Sequence, residues 1–143
     1  MRYLMDTDVC VNIIRSNEGS ALRQEYAEKA HHIAVSTVTV AELQCGAQKS
    51  SDPQKNSLAL TQFLSSLCVR AFDHRAASRY GTVRASLETA GKRIGPLDML
   101  IAAQALADNL VLITNNYKEF GRVKGLSAES WNELDFSACL EQA

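Results

Sequence analysis

"YLMDTDVCV", residues 3–11, is the stretch on which the reading of the fold turns. Tyr3, Leu4 and Met5 have the look of a buried strand, yet they run straight into two carboxylates, Asp6 and Asp8. A strand needs its apolar residues but has no use for the acids. Asp8 has an ordinary reading as the N-cap of a helix over Val9–Arg15, accepting the free amide protons of its first turn. Asp6 follows Leu4 and Met5 directly and is expected to be at least half buried. A buried carboxylate is costly without a cation, a hydrogen-bond cluster or a raised pKa.

Working outward, three more short apolar runs read as strands: Ile33–Val35, Cys68–Phe72 and Val111–Thr114. Between them lie helical patterns over Ala21–Lys29, Val40–Lys49, Gln54–Leu67, Arg75–Ala90 and Leu97–Asp108. Strands alternating with helices predict an α/β domain with a central, mostly parallel sheet flanked by helices. Sites in such sheets lie outside the carboxyl ends of the strands. Asp6 ends the first strand, and "LITNN", residues 112–116, puts Thr114, Asn115 and Asn116 at the end of the fourth. The fold therefore predicts that these distant residues meet.

At 143 residues the chain has the size of one ordinary domain, and 46% hydrophobic with 22% charged residues is the composition of a soluble globular protein. The longest nearly apolar stretch, Met99–Ala107, is about half of what a membrane span needs. Asp6 interrupts any signal-peptide pattern at the amino terminus. Cys10, Cys45, Cys68 and Cys139 form no CxxC and stand at no metal-ligand spacing with His. They read as small buried or neutral residues of a reducing cytosol, and zinc is not expected. The net charge of −1 does not suggest a nucleic-acid binder, but the charge is uneven. Residues 70–93 hold six cations against two acids, while Glu129, Glu133, Asp135 and Glu141 stand without a cation from Gly125 onward. That asymmetry is compatible with a phosphate-facing patch or with a plain solvated face.

Two further acids are out of place. In "TVAELQCGA" one helical register puts Val38, Ala41, Glu42 and Cys45 on an apolar stripe, which would bury Glu42. The other register, Val40, Leu43 and Ala47, leaves Glu42 at the margin. In "IGPLDMLIAAQALADN" Pro96 opens a helix whose next eleven residues hold only two polar side chains, Asp98 and Gln104. Such a helix is expected to be buried. Asp98 gains from the helix dipole, but a purely solvated acid is out of keeping there. Three acids and two amides converging on one sheet edge make a hard-oxygen site, suited to Mg²⁺ or Mn²⁺. His31, His32 and His74 lie in or near helix–strand connections and are expected at the surface, and no phosphate or dinucleotide loop is present. Metal-activated water, the chemistry of phosphodiester cleavage, fits such a site.

The stretches "LMDTDVCV", "STVTVAELQCGAQKS", "VRASLETAGKRIGPLDMLIAAQALADNLVLITNNYKEFGRVKGL" and "ESW", in one collinear order from Tyr3 to Trp131, resemble the PIN-domain ribonuclease toxins of the VapC type. The resemblance implies a single PIN-like domain over residues 1–143, with a last strand within 125–131. It implies the toxin of a type II toxin–antitoxin pair, a cytoplasmic Mg²⁺-dependent endoribonuclease with one or two ions, for which Mn²⁺ could substitute. Its site would be Asp6, Glu42 and Asp98, with Asn116 in the fourth position and Thr114 ordering it. Thr7 and Asn115, beside these acids, are further ordering candidates. Many members carry Asp where this chain has Asn116, and Asn or Ser where it has Asp8. Asp8 either compensates for the missing charge as a further metal ligand or only caps its helix.

The resemblance further implies an RNA substrate, often a tRNA anticodon loop and in some members initiator tRNA. Candidates for holding its phosphates are Arg75, Arg79, Arg84, Lys92, Arg93, Lys118, Arg122 and Lys124, with Tyr80 or Tyr117 for stacking. The implied partners are a second copy of the chain and a cognate antitoxin, through which alone operator DNA would be bound. Leu22, Tyr26, Leu60, Phe63 and Leu64 are candidates for the antitoxin groove or for core. Two rival readings stand beside this one. A haloacid-dehalogenase-like phosphatase would use Asp6 as nucleophile and Asp8 as acid–base, leaving Glu42 without a role. A non-catalytic interaction module would use the acids only to order loops.

Overall fold

The computed structural model describes residues 1–131, so Cys139, Glu133, Asp135 and Glu141 lie outside the described residues. Its strands are β1 (Tyr3–Met5), β2 (Ile33–Ser36), β3 (Cys68–Arg70), β4 (Val111–Ile113) and β5 (Ala128–Glu129). They form one parallel sheet in the order β3-β2-β1-β4-β5. Its helices are α1 (Thr7–Arg15), α2 (Ala21–Lys29), α3 (Thr37–Lys49), α4 (Pro53–Ser65), α5 (His74–Thr89), α6 (Pro96–Ala107) and the short α7 (Tyr117–Phe120).

The sheet is covered on both faces, and the period-two alternation of strand side chains divides the core between them. Leu4, Ala34 and Leu112 face one cluster with Val83 and Leu87 of α5, Met99 and Ala102 of α6, and Phe120. Tyr3, Met5, Ile33, Val35 and Ile113 face the other, with Val9 and Ile13 of α1, Leu22 of α2, Leu43 of α3 and Leu60 of α4. Because each strand is buried on both sides, β1 and β2 are apolar rather than alternating up to the closing Ser36 of β2, and both are fully buried.

The α/β reading of the sequence holds, and the last strand falls within 125–131 as the resemblance implied. Several boundaries differ. α1 begins at Thr7, not Val9, and its N-cap is Asp6 rather than Asp8. The Asp6 side chain accepts the Val9 amide, so the carboxylate that ends β1 also starts α1. α3 starts at Thr37 with Ser36 as its cap, ahead of the expected Val40. β3 stops at Arg70, short of Phe72, because the Phe72 amide turns to the Thr37 hydroxyl. The helix α6 is buried as its composition requires, from Met99 through Ala105 apart from half-buried Leu100. His31, His32 and His74 are exposed, whereas of the described cysteines only Cys10 is buried and Cys45 and Cys68 are exposed.

Gln104, the one polar side chain of α6 beyond its first turn, is fully buried. Its Nε2 donates to the carbonyls of Arg70 and Ala71, 3.2 Å each, and so pins the end of β3 to α6. Replacing it by Leu should lower stability by about 1–3 kcal/mol, the cost of stranding those acceptors. The urea midpoint reads this directly. An unchanged midpoint would mean that the end of β3 needs no such anchor.

Candidate active site

In the strand order β3-β2-β1-β4-β5 the winding direction reverses between β1 and β4. In open α/β sheets the crevice outside the carboxyl ends at such a switch point is where ligands bind. Asp6 leaves β1 there and Thr114 leaves β4. The Asp6 amide donates to the Ile113 carbonyl at 3.0 Å, extending the pairing by one residue. The Thr114 hydroxyl then donates to Asp6 Oδ2 at 2.5 Å, while Oδ1 accepts from Val9 N at 3.0 Å. Thr114 Oγ1 in turn accepts the Asn116 amide at 3.0 Å. Thr114 is wholly buried and Asp6 nearly so, at 4% exposure. Asn115 faces the next strand, where its Oδ1 accepts from the Ser130 hydroxyl at 2.8 Å.

Glu42 arrives from α3. The residues of α3 that reach the core are Thr39, Leu43 and Ala47, so the register that would bury Glu42 with Ala41 and Cys45 is overturned. Ala41 and Cys45 are exposed, and Glu42 lies at the margin, half-buried, beside Thr7. The Thr7 hydroxyl donates to Glu42 Oε1 at 2.7 Å and lies 3.2 Å from the buried Thr39 hydroxyl. Thr7 therefore fixes Glu42 from the first turn of α1, next to Asp6. Asp98 stands in the first turn of α6, after Gly95 and Pro96. A Cβ on Gly95 would lie 3.4 Å from Asp98 Oδ2, so the small residue leaves that carboxylate room to lie against the loop.

The sequence reading missed Glu119. The Asn116 Nδ2 donates to Glu119 Oε2 at 3.1 Å, which orients the amide and leaves its carbonyl oxygen as a neutral acceptor. Asn116 precedes the single turn α7, and Glu119 sits three residues on. Glu119 thus supplies the charge that Asn116 lacks. The signal was present as Asn116-x-x-Glu119, the spacing at which a helix-start residue meets the next turn, but a four-residue helix has too little periodicity to be seen. The turn closes tightly at Gly121, where a Cβ would come within 2.7 Å of the Tyr117 carbonyl oxygen.

These acids repel one another. Burial first, then repulsion from Asp8 and Glu42, overcomes the hydrogen bonds from Thr114 and Val9 and raises the Asp6 pKa to about 6. Asp98 is likewise raised to about 6, by burial and then by Glu119, Asp6, Glu42 and Asp8, despite its place at a helix N-terminus. Among the described residues none of these five acids is in an ion pair. Asp8 itself is exposed and does not cap its helix. An arrangement of carboxylates and one amide oxygen without a cation fits a hard divalent ion by its donor chemistry. No three His, Cys, Asp or Glu among the described residues cluster tightly enough to enclose an ion alone. A bound ion would keep water in much of its shell, which is the habit of Mg²⁺.

The candidate RNA contacts sort by their partners. Arg75 is held by Asp108 at 2.9 Å and lies 3.5 Å from Asp73, and Arg84 is held by Glu88 at 2.7 Å and donates to the Tyr80 hydroxyl. Arg93 lies 3.9 Å from the same Glu88. Arg79, Lys92, Lys118, Arg122 and Lys124 are exposed, with no ion pair among the described residues. Tyr80 is half-buried and Tyr117 exposed. Of the candidate groove residues, Leu22 and Leu60 belong to the core, and Tyr26, Phe63 and Leu64 pack against it.

Comparison with known proteins gives this geometry its context. Residues 3–126 match the PIN domain family. The chain is 40% identical to ribonuclease VapC2 of Rickettsia felis, aligned over 93% of this chain and all of that protein. The chain belongs to the VapC group of PIN-domain proteins. It is also 35% identical to the tRNA(fMet)-specific endonuclease VapC of Shigella flexneri, over 92% of this chain and 99% of that one. The fold matches a chain of the DNA-bound VapBC crystal structure from Salmonella typhimurium with a TM-score of 0.88 and 34% identity, covering 92% of this chain and 98% of that chain. Membership in this group leaves the phosphatase reading without support.

The raised carboxyls carry a pH signature. Both folded pKa values lie above those of an unfolded chain, so their contribution is fully present below about pH 4 and is lost as pH rises through about 6. In metal-free buffer Asp98→Asn should therefore stabilise the protein at pH 7.5 by about 1 kcal/mol, after allowing for solvent screening at this half-exposed group, and not at pH 4. Thermal melts at the two pH values compare the variants. Equal effects at both would place the origin in packing rather than in charge.

Proposed function

We propose that this chain is a divalent-metal-dependent endoribonuclease, the toxin of a type II toxin–antitoxin pair, whose site is formed by Asp6, Glu42, Asp98, Asn116 and Glu119. The observation that carries the reading is the mutual repulsion of these unpaired acids beside the switch point between β1 and β4, which with burial raises Asp6 and Asp98 to about 6 while Thr114, Thr7 and Asn116 bond to Asp6, Glu42 and Glu119. A site with this much unneutralised negative charge is made for a cation. Mg²⁺ is the expected ion, with Mn²⁺ as a substitute; when bound it would lower the pKa of water and steady charge on a phosphoryl oxygen.

The chain's own residues supply position and charge. Asp6 has one oxygen engaged by the α1 amide and the other by Thr114, so its carboxylate is fixed in direction before any ion arrives. Thr7 does the same for Glu42. These hydroxyls are the orienting partners that bound metals require of their ligands. Asn116 offers a neutral oxygen and holds Glu119 beside Asp98, which makes up the charge that an Asp in the fourth position would bring. Asp8, exposed on the first turn of α1, contributes field rather than a fixed contact. Among the described residues no histidine stands at the site, so the nucleophile's proton passes to solvent or to one of these carboxylates.

The relatives support the substrate and partner classes. The Shigella relative's specificity for tRNA(fMet) favours tRNA, initiator tRNA included, as the target. The DNA-bound VapBC complex from Salmonella typhimurium and the promoter-bound VapBC2 complex from Rickettsia felis favour a cognate antitoxin and an assembly on promoter DNA, to which the proposed reading adds a second copy of the chain and DNA contact through the antitoxin. A groove of about 210 Å³ between α1, α3 and α4 is lined by Val11, Ile14, Leu43 and Leu60 and opens onto Thr7 and Glu42. An antitoxin segment lying there would end at the acids. Among the described residues no helix is long and apolar enough to cross a membrane; the expected place of action is the cytoplasm.

Purified total tRNA incubated with the chain should yield discrete fragments with Mg²⁺ or Mn²⁺ and none with EDTA. Asp98→Asn should abolish cleavage, and Thr114→Val should reduce it by about 10–100-fold through loss of ligand orientation. If Asp98→Asn cuts as well as the parent, the site assignment fails. Separately, added Mg²⁺ should raise the melting temperature of the parent at pH 7.5 and leave that of Asp6→Asn where it was. An equal shift in both would put the ion elsewhere.

A further inference from the structure

Arg79 on α5 and Arg122 and Lys124 beyond α7 are distant in sequence but line one cleft of about 210 Å³. Its floor is apolar, made by the buried side chains of Val83, Leu87 and Val123. Thr82 and Ser86 add hydroxyls to the wall, and the lining contains no acid. While Arg75 and Arg84 are neutralised by carboxylates, these three cations have no ion pair among the described residues. Arg122 Nη1 donates to the Arg93 carbonyl at 3.0 Å, which holds the guanidinium in place without cancelling its charge.

We propose that this cleft is a second RNA-contact site, which holds a phosphodiester of the substrate strand between Arg79, Arg122 and Lys124 with the adjoining ribose or base face on the apolar floor. The proposal rests on the ribonuclease reading above and adds where the affinity comes from. Phosphates supply most of the free energy of RNA binding, yet the acids of the active site repel them. The cations that hold the strand must lie beyond those acids. Arg93, which anchors Arg122, precedes Asp98 by five residues, at most ~18 Å of extended chain. Through the bond from Arg122 to Arg93, the cleft is joined to the segment that leads into Asp98 and α6. The apolar floor favours a nucleotide over free phosphate, since only the former has a face to bury. An acidic peptide would answer the charges as well, but nothing about it would call for a cleft joined to the segment that leads into Asp98.

The test is binding without cleavage, on the full chain carrying Asp98→Asn, with fluorescently labelled total tRNA over a salt series. Arg79→Gln with Lys124→Gln is compared with Lys49→Gln and Lys55→Gln, an exposed pair on α3 and α4 that removes the same charge. The cleft pair should weaken binding roughly tenfold and reduce the slope of log K against log salt by roughly 1.4–1.8, the yield of two lost phosphate contacts. The control pair should leave the slope in place. Equal loss in both pairs would mean diffuse attraction and overturn the proposal, as would no loss in the cleft pair. A cleft pair that loses a polyglutamate probe but keeps tRNA would assign the cleft to an acidic protein instead. Failure of the parent chain to cut RNA would sink the ribonuclease reading by itself, and the binding series would still decide the cleft.

Discussion

One hydrogen bond, from the Thr114 hydroxyl to Asp6 Oδ2, holds together residues 108 positions apart and ties the ends of the two strands between which the sheet reverses direction. Asp6 is engaged three ways in that place. Its amide extends the pairing with β4, one carboxylate oxygen caps α1, and the other receives Thr114. The direction of α1, and with it the position of Thr7 and Glu42, follows from the cap. The path of the chain after β4, and with it Asn116 and Glu119, follows from Thr114, which receives the Asn116 amide. A residue that looked like a liability in the sequence is thus the point from which both halves of the site are oriented.

The same arrangement is electrostatically unfavourable in the absence of a cation. Burial disfavours the ionised form of Asp6 and Asp98, and the neighbouring acids disfavour it further. Such a site costs the fold stability at neutral pH, in keeping with the general tendency of functional sites to violate the rules that the rest of the chain obeys. The cost is sustained by two apolar clusters on the faces of the sheet, which bury the strands on both sides. A cation bound to the acids would return part of that stability and would so couple occupancy to folding.

Positive charge is handled in two ways around α5. Arg75 and Arg84 are drawn into local ion pairs, and Arg75 with Arg70 flanks Asp108 at the end of α6, where the geometry is structural. Arg79, Arg122 and Lys124 are left without counter-charges around an apolar floor. A count of cations along the sequence sees a basic stretch over residues 70–93 and a few more beyond Asn116. The fold regroups them into a structural set and an unneutralised set, and only the latter has field to offer a phosphate.

The sequence by itself determined the α/β class, the burial of Asp6 and of α6, and the convergence of Asp6 with Thr114 and Asn116, because strand and helix periodicity and the cost of a buried carboxylate are local properties. The order of motifs along the chain was enough to give the family, later matched over residues 3–126. The tertiary structure decided what depends on two elements at once. It gave the cap of α1 to Asp6 instead of Asp8, because the β1–β4 pairing fixes the backbone there. It put Glu42 at the margin of α3, since two helical registers are equally apolar and only the sheet chooses between them. It brought Glu119 to Asn116 on a turn too short to show a period, and it divided the arginines by which acid folds beside each. Local pattern tells which residues are out of place; only packing tells which neighbours account for them.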